Sequence, residues 1–414
     1  MFYDRELRKD IVTYLEGPEA IIILGSRQVG KTTLLKMIME SIKTQENAFY
    51  LDLEDSRNLD QVKKGPENLM RFLSSIGASF QKRNYLFLDE IHYLDNLSRF
   101  IKLSVDHYSN KFKVIGTGSS ALGIRLKFKE AMVGRKLIFT LYPLSFREFL
   151  HFKERKNLAK NLPSEPFKQI EEITRFFKED YDQFFHEFLI FGGYPRIALE
   201  SSFEKKTKLL GEIVDSYIYK DIRSLFHIGN IHKFNDLVRV LASQAGSLVN
   251  VSELSRTVGI SRPTVMNFLS ILENSFLISM IPPYSRSHRV EVRKASKIYW
   301  LDNGLRNYLI NDLSASPSRT DMGILLENAV FTGLTKRKKE MDHLYYWRTK
   351  DVTEVDFVCE SGRELIPIEV KTHARIHRGM SNFLKKYNVK KGYIAHTGDF
   401  MTAAISHIPA YWLA

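Results

Sequence analysis

Apolar positions change their period along this chain. From residue 1 to about 150, short unbroken apolar runs alternate with amphipathic stretches. The runs Ala20–Leu24, Ala48–Leu53, Tyr85–Asp89 and Lys113–Thr117 are spaced widely enough to hold a helix between neighbours. Continuous apolar strands separated by helices mark a parallel sheet covered on both faces. From 151 to 235 the period is helical and charged, rich in Lys, Glu and Phe, and Gly192-Gly193-Tyr194-Pro195 reads as a turn. Residues 236–312 carry a helix–turn–helix pattern and then strand-like segments. Over 313–414, a helix around Gly323–Lys336 precedes strand candidates Leu344–Trp347, Glu354–Val358, Leu365–Val370 and Gly392–Ala395. The expected fold class is α/β: an N-terminal parallel sheet, a helical middle and a second α/β domain. No internal repeat or low-complexity tract interrupts the pattern.

Composition narrows the setting. Of 414 residues, 44% are hydrophobic and 12% aromatic, enough for packed cores. Cys359 is the only cysteine, so no disulfide joins two parts of the chain, as suits a reducing compartment. The charged start Met1–Asp10 lacks the apolar core of a signal peptide, and no run nears the roughly 18 apolar residues of a membrane span. The expectation is a soluble, cytoplasmic protein with no membrane partner. A formal charge of +13 fits a partner bearing phosphates and fits a merely basic, solvated surface equally well.

Gly25-Ser26-Arg27-Gln28-Val29-Gly30-Lys31-Thr32 matches the Walker A pattern G-x-x-x-x-G-K-[ST], and Thr33 follows it. An apolar strand enters the motif and a helix leaves it, which places backbone N–H groups and a helix N-terminus around phosphate oxygens. Lys31 is expected to reach the β- and γ-phosphates of ATP, and Thr32 to hold Mg²⁺. Downstream, Tyr85–Glu90 is an apolar strand ending in two carboxylates, the Walker B form. Asp89 would hold Mg²⁺ and Glu90 would act as general base toward water. His92 reads as a structural or switch residue rather than a metal ligand.

These segments, with Leu88–His92, Thr117–Ala121, Gly134–Arg135 and Pro143–Phe149, resemble a large family of prokaryotic AAA-type ATPases with a C-terminal domain of uncharacterised function. The likeness extends through Phe191–Pro195 to the C-terminal Glu-Val-Lys. It implies that Ser119 or Ser120 senses the γ-phosphate. It also implies that Arg135 is a sensor or finger arginine acting in cis or from a neighbouring subunit of a homo-oligomer. An ordinary surface ion pair is the competing reading for Arg135.

In the middle of the chain, Val251–Val258 reads as a helix with Ser252 as its cap, and Gly259-Ile260 as a turn. Ser261 would cap the next helix, Arg262–Glu273, with Pro263 in its first turn. Leu254, Val258, Val265, Phe268 and Leu269 would form a shared core. The pattern resembles a winged helix, which would present Ser261, Arg262, Thr264 and Asn267 to nucleic acid, DNA first. Arg286, His288, Arg289, Arg293 and Lys294 lie along the wing. A winged helix used as an internal lid or protein-docking surface is the alternative.

Toward the end, Glu354-Val-Asp356 is followed by a turn at Glu360–Arg363 and by Ile368-Glu369-Val370-Lys371. Alternation along a strand puts Glu369 and Lys371 on one face, and a hairpin would bring Asp356 beside Glu369. With Glu327 on the preceding helix, these carboxylates and Lys371 would bind Mg²⁺ and orient water against a phosphodiester. The set resembles the restriction-endonuclease-like core, although Val355 stands where that motif often has Pro. An amphipathic hairpin would show the same letters, and such a fold also serves as a binding platform without cleavage. Zinc spacings and serine-hydrolase motifs are absent from the sequence.

The leading expectation is an ATPase coupled to a nucleic-acid-binding C-terminal half, with or without nuclease activity. Its rival is a slow nucleotide switch that acts on a protein partner and whose nuclease-like domain is inactive.

Overall fold

A computed structural model describes residues 3–42, 47–119, 132–167, 176–222, 229–286, 295–315, 319–349, 353–373 and 378–414. The chain divides into two compact units, Met1–Tyr142 with Asn274–Phe276, and Pro143–Glu273 with Leu277–Ala414. The expected boundaries at 235/236 and 312/313 both fall inside the second unit.

The first unit begins with α1 (Glu6–Val12) and is built on five strands: β1 (Ala20–Leu24), β2 (Ala48–Asp52), β3 (Asn84–Asp89), β4 (Phe112–Gly118) and β5 (Lys136–Thr140). All pair in parallel, in the order β2-β3-β4-β1-β5. Every residue of β1 and β4 is buried, whereas β2 and β5 are mostly half-buried. Unbroken apolar runs therefore mark the inner strands, and the mixed sequence Lys136–Thr140 marks an edge. Helices α2 (Lys31–Ser41), α3 (Ser56–Lys63), α4 (Pro66–Ser75) and α5 (Leu97–Tyr108) make the crossovers. Because β4 lies between β1 and β3, the ends of all three strands meet where the two acidic residues and the glycine loop emerge.

The second unit starts with helices α6 (Phe146–Phe152), α7 (Lys156–Asn161), α8 (Lys178–Phe191), α9 (Pro195–Leu199) and α10 (Phe203–Ile213), then a π-helical stretch, Val214–Asp221. Ser145 and Glu148 close a capping box at the start of α6. The Gly192-Gly193 turn is clamped: the Gly193 N–H donates to the Asp302 carboxylate at 2.7 Å, and its carbonyl accepts from the Leu144 N–H. A Cβ on Gly193 would lie 2.5 Å from the Leu144 carbonyl oxygen, so no side chain fits there.

Helices α11 (Ile231–Ser243), α12 (Val251–Val258) and α13 (Arg262–Asn274) follow, then an antiparallel pair, β6 (Ile278–Ile281) and β7 (Lys297–Trp300). Leu254, Val258, Val265, Phe268 and Leu269 are all buried, and Phe268 packs edge-on against Phe234. Asn250, not Ser252, caps α12, accepting from the Glu253 N–H at 3.1 Å. Ser261 does accept from the Thr264 N–H at the head of α13.

After α14 (Asn303–Leu309) and α15 (Met322–Arg337), a mixed sheet forms in the order β12-β11-β10-β9-β8. Its strands are β8 (Asp342–Arg348), β9 (Glu354–Ser361), β10 (Glu364–Val370), β11 (Gly392–His396) and β12 (Ile405–Pro409), with α16 (Arg378–Tyr387) crossing from β10 to β11. The β8-β9-β10 meander is antiparallel, and β10, β11 and β12 run in parallel. The other edge of β8 is paired as well. The Tyr284 N–H donates to the Tyr346 carbonyl at 2.6 Å, and the Tyr346 N–H to the Pro282 carbonyl at 3.1 Å. No helix among the described residues is long and apolar enough to cross a membrane.

Candidate functional site

The glycine loop runs from β1 into α2. Gly25 sits against the neighbouring chain segment, where a Cβ would lie 2.2 Å from the Leu141 carbonyl oxygen. Gln28 and Gly30 both take positive φ, 62° and 96°, which curls the backbone between them. Arg5 braces the loop from outside, donating to the Val29 carbonyl at 2.8 Å and the Tyr142 carbonyl at 2.7 Å. Lys31 is buried, and its ammonium donates to the carbonyls of Gly25 and Ser26 at 3.1 and 3.0 Å. Burial pushes its pKa down, against the pull of Glu90 and Asp89.

Asp89 gathers three hydroxyls. Thr32 donates to Oδ2 at 2.6 Å, Tyr50 to the same oxygen at 2.8 Å, and Thr117 of β4 to Oδ1. Burial and the Asp89 charge both raise the Tyr50 phenol pKa. Glu90 follows in the left-handed region at φ 52°, uncommon for a residue with a side chain. Its N–H donates to the Thr117 hydroxyl at 3.1 Å, and its carboxylate meets the His92 ring at 3.0 Å. Burial opposes ionisation of Glu90, but the His92 ring and the cations of Lys31 and Arg27 outweigh it and hold the carboxyl at about 2. A phosphate cradle, a buried lysine, and a threonine hydrogen-bonded to an aspartate make a donor set that fits ATP and Mg²⁺. Ser119 is buried just past β4; Ser120 lies outside the described residues.

The C-terminal carboxylates sit in the second unit. The β9–β10 hairpin pairs Phe357 with Ile368, which sets Asp356 next to Glu369, and the Val370 N–H donates to Asp356 Oδ2 at 2.8 Å. Lys371 reaches the same oxygen at 3.4 Å. Glu369 is 1% exposed, and the Met380 backbone N–H approaches its carboxylate. Burial raises its pKa to about 7, with Lys371 opposing and Asp356 assisting. Glu327 accepts from the Tyr299 hydroxyl at 2.6 Å, and burial and then Asp356 push its pKa up.

Between these groups lies Lys297, at the start of β7 and only 3% exposed. Its ammonium lies 3.2 Å from Glu327, within bonding reach of Glu354, and 3.8 Å from Asp356. Among the described residues, no three His, Cys, Asp or Glu side chains are grouped so as to hold a metal ion. The expected Mg²⁺ set of Glu327, Asp356 and Glu369 does not fit as it stands. Two of its members, Glu327 and Asp356, turn to Lys297.

Comparison with known proteins separates the two units. Residues 17–150 match the family model described as an AAA domain. The N-terminal unit is an AAA-type ATP-binding domain. Residues 182–316 and 322–411 match two domains of unknown function, DUF8612 and DUF4143. An uncharacterized protein of Haemophilus influenzae is 27% identical over 84% of this chain and 81% of its own. One from Methanocaldococcus jannaschii is 28% identical over 87% and 77%. Among solved structures, AMPPCP-bound DnaA from Aquifex aeolicus aligns over 65% of this chain and 86% of its own, at 17% identity and a TM-score of 0.29. A signal transduction ATPase with numerous domains from Pyrococcus horikoshii aligns over 81% and 46%, at 14% identity and a TM-score of 0.28. TM-scores this low carry no functional inference.

Within the AAA domain, one expected residue is misplaced for its own nucleotide. The Ala20 N–H donates to the Arg135 carbonyl at 3.0 Å, so Arg135 stands where β1 begins, whereas the P-loop stands where β1 ends. A five-residue strand separates them by roughly 15 Å, beyond an arginine's reach, so the cis role is corrected. Arg135 instead pairs with Asp106 of α5 at 2.7 Å. Ser261 just before α13, and Arg262 and Asn267 on it, are exposed, and Thr264 is half-buried. Arg286 is described, and His288, Arg289, Arg293 and Lys294 lie outside the described residues.

Sequence reasoning passed over Lys297, Glu354 and Tyr50. Glu354 was open to discovery, since it shares a strand face with Asp356 two residues on. Lys297 carried a weaker signal, a lysine heading the apolar strand Lys297-Ile-Tyr-Trp300.

Proposed function

We propose that the chain is a Mg²⁺-dependent ATPase whose nucleotide state governs a nucleic-acid-binding second unit. The observation that carries the ATPase reading is the meeting of Thr32, Thr117 and Asp89 beneath the buried Lys31. With ATP present, Lys31 exchanges its two loop carbonyls for phosphate oxygens, and loop N–H groups from Gly25 to Thr33 take the rest. Mg²⁺, held through Thr32 and Asp89, would neutralise charge on the phosphates. Glu90, freed from His92, orients and polarises the attacking water. Arg135 would serve a nucleotide on a neighbouring copy, which makes a homo-oligomer part of this reading.

Support for nucleic acid comes from the net charge of +13 and from exposed Arg262 and Asn267 at the head of a helix that we read as the recognition helix of a winged helix. The C-terminal sheet with its carboxylates is read as a restriction-endonuclease-like core. A second reading, in which that core binds without cutting, is favoured by Lys297, whose ammonium already occupies three of the carboxylates.

The test is the steady-state Mg²⁺-ATPase rate with single-stranded, duplex and branched DNA, with Lys31→Ala as blank. Stimulation by one DNA form supports the coupling and names the substrate shape. A rate indifferent to every DNA transfers the reading to a protein-partner switch.

A further inference from the structure

Cations gathered in one place with no carboxylate to answer them suit a partner that brings its own negative charge. Such a place lies at the hairpin end of the C-terminal sheet, in an open groove of about 710 Å³. Three separate segments line it. The Pro282–Tyr284 segment is tied to β8, and Arg286 follows two residues on. The Arg286 guanidinium lies over the Tyr387 ring, 5.5 Å from its centroid, and Tyr284 meets the same ring edge-on at 5.1 Å. The β9–β10 turn contributes Arg363. The third segment leaves α16, where Asn388 takes φ 56° and the Val389 N–H donates back to the Leu384 carbonyl at 3.0 Å. Beyond that cap, Lys390 and Lys391 line the groove.

All four cations are exposed, and among the described residues none of them forms an ion pair. Glu360 and Glu364 share the groove, so positive charge is in excess there. A guanidinium laid on a ring keeps its fork ready for a phosphate. The tyrosines, half-buried in the groove wall, favour a nucleic-acid strand over an acidic peptide, because every base has a face that can meet a ring. The volume is that of a small-ligand cleft, which admits one strand and excludes a duplex. The groove is also separate from the buried carboxylates: along β9, Glu360 stands roughly 13 Å beyond Asp356.

We propose that this groove holds the phosphate backbone of a single nucleic-acid strand, as a grip indifferent to sequence and distinct from α13. It rests on the nucleic-acid reading of the second unit and adds to it a second place of contact and the form of the strand held there.

The experiment is fluorescence anisotropy of a labelled oligothymidylate with the full chain, without nucleotide, across a salt series. Lys390→Ala/Lys391→Ala is expected to bind about tenfold or more weakly. Its salt slope should flatten by about 1.4, the share of two lost phosphate contacts on a single strand. Arg363→Ala should weaken binding in the same direction, and circular dichroism should show both variants folded, since these side chains are exposed. Lys205→Ala/Lys208→Ala removes as much charge from exposed positions of α10 and should bind as wild type does. Equal losses in the two lysine pairs would reduce the effect to net charge and overturn the proposal. Polyglutamate that displaces the strand as well as unlabelled oligothymidylate would assign the groove to an acidic peptide and overturn it too. If wild type binds the strand and the groove variants bind equally well, the groove falls while the nucleic-acid reading stands. If wild type binds neither oligothymidylate nor duplex, both fall together.

Discussion

The Thr32 hydroxyl lies 2.6 Å from Asp89 Oδ2, across 57 residues of chain. That bond joins the two halves of the nucleotide site directly, and it occupies the pair of groups that would hold Mg²⁺. Thr32→Ala is expected to weaken Mg²⁺-dependent ATP binding about tenfold or more, the size of one charge-assisted contact. Binding in EDTA should change little. Titration calorimetry with and without Mg²⁺ separates the cases, and an equal loss in both would mark Thr32 as a mere anchor of the loop.

Glu90 and His92 give a prediction in two parts. Glu90→Gln should keep ATP affinity and slow hydrolysis by roughly 10²–10⁴, the usual contribution of a general base. His92→Ala removes a group that holds the Glu90 carboxyl at about 2, below its ordinary 4.5. A depressed carboxyl stabilises the fold fully above its unfolded value and loses that contribution as pH falls toward 2. Without His92 the folded value rises toward 4.5, so the contribution is smaller and is exhausted at higher pH, seen as an acid-unfolding midpoint shifted upward in circular dichroism. An unmoved midpoint would count against the pairing.

Glu369 has the opposite sign. Its pKa is raised to about 7, so the native chain keeps a proton that the unfolded chain sheds near 4.5. Its contribution to stability is therefore greatest below about 4.5 and falls as pH rises through 7. Glu369→Gln has no proton to lose. Its melting temperature should decline less than that of wild type across this window, and parallel curves would refute the assignment.

Arg262 at the head of α13 should meet phosphate or a base edge if this helix enters a groove. Arg262→Glu is expected to reduce duplex affinity about tenfold or more and to flatten its dependence on salt. Fluorescence anisotropy at two salt concentrations checks this. Unchanged binding would assign the helix to protein contact.

Local strings were the most legible part of the molecule. Gly25–Thr32 and Asp89-Glu90 each carry their chemistry in adjacent residues, so the phosphate site could be read directly. The Asp356–Glu369 juxtaposition needed one further step, strand alternation plus a tight turn, and the register has it. The buried apolar set of α12 and α13 followed from helical period alone. What stayed hidden depends on distant packing. Lys297 means little until β7 lies against α15, and Tyr50 looks like any strand residue until β2 pairs with β3. Arg135 was read from its neighbours in sequence, which do not say at which end of a sheet a residue emerges. The edge strands β5 and β12 escaped because their apolar runs are short, three residues between Lys136 and Thr140 in β5 and single residues in β12. Asn250 and Ser252 are both good caps, and only backbone geometry chooses between them.

The Pro282–Tyr284 segment that pairs with Tyr346 has a practical consequence for dissecting this protein. A fragment cut at residue 313 would keep the five-stranded sheet but strip the pairing from β8, laying bare unsatisfied N–H and C=O groups along an open margin. Such a fragment would be sticky, recruiting a second copy or stray peptide to that margin. A soluble C-terminal piece should therefore begin before β6, carrying its own cover strip with it.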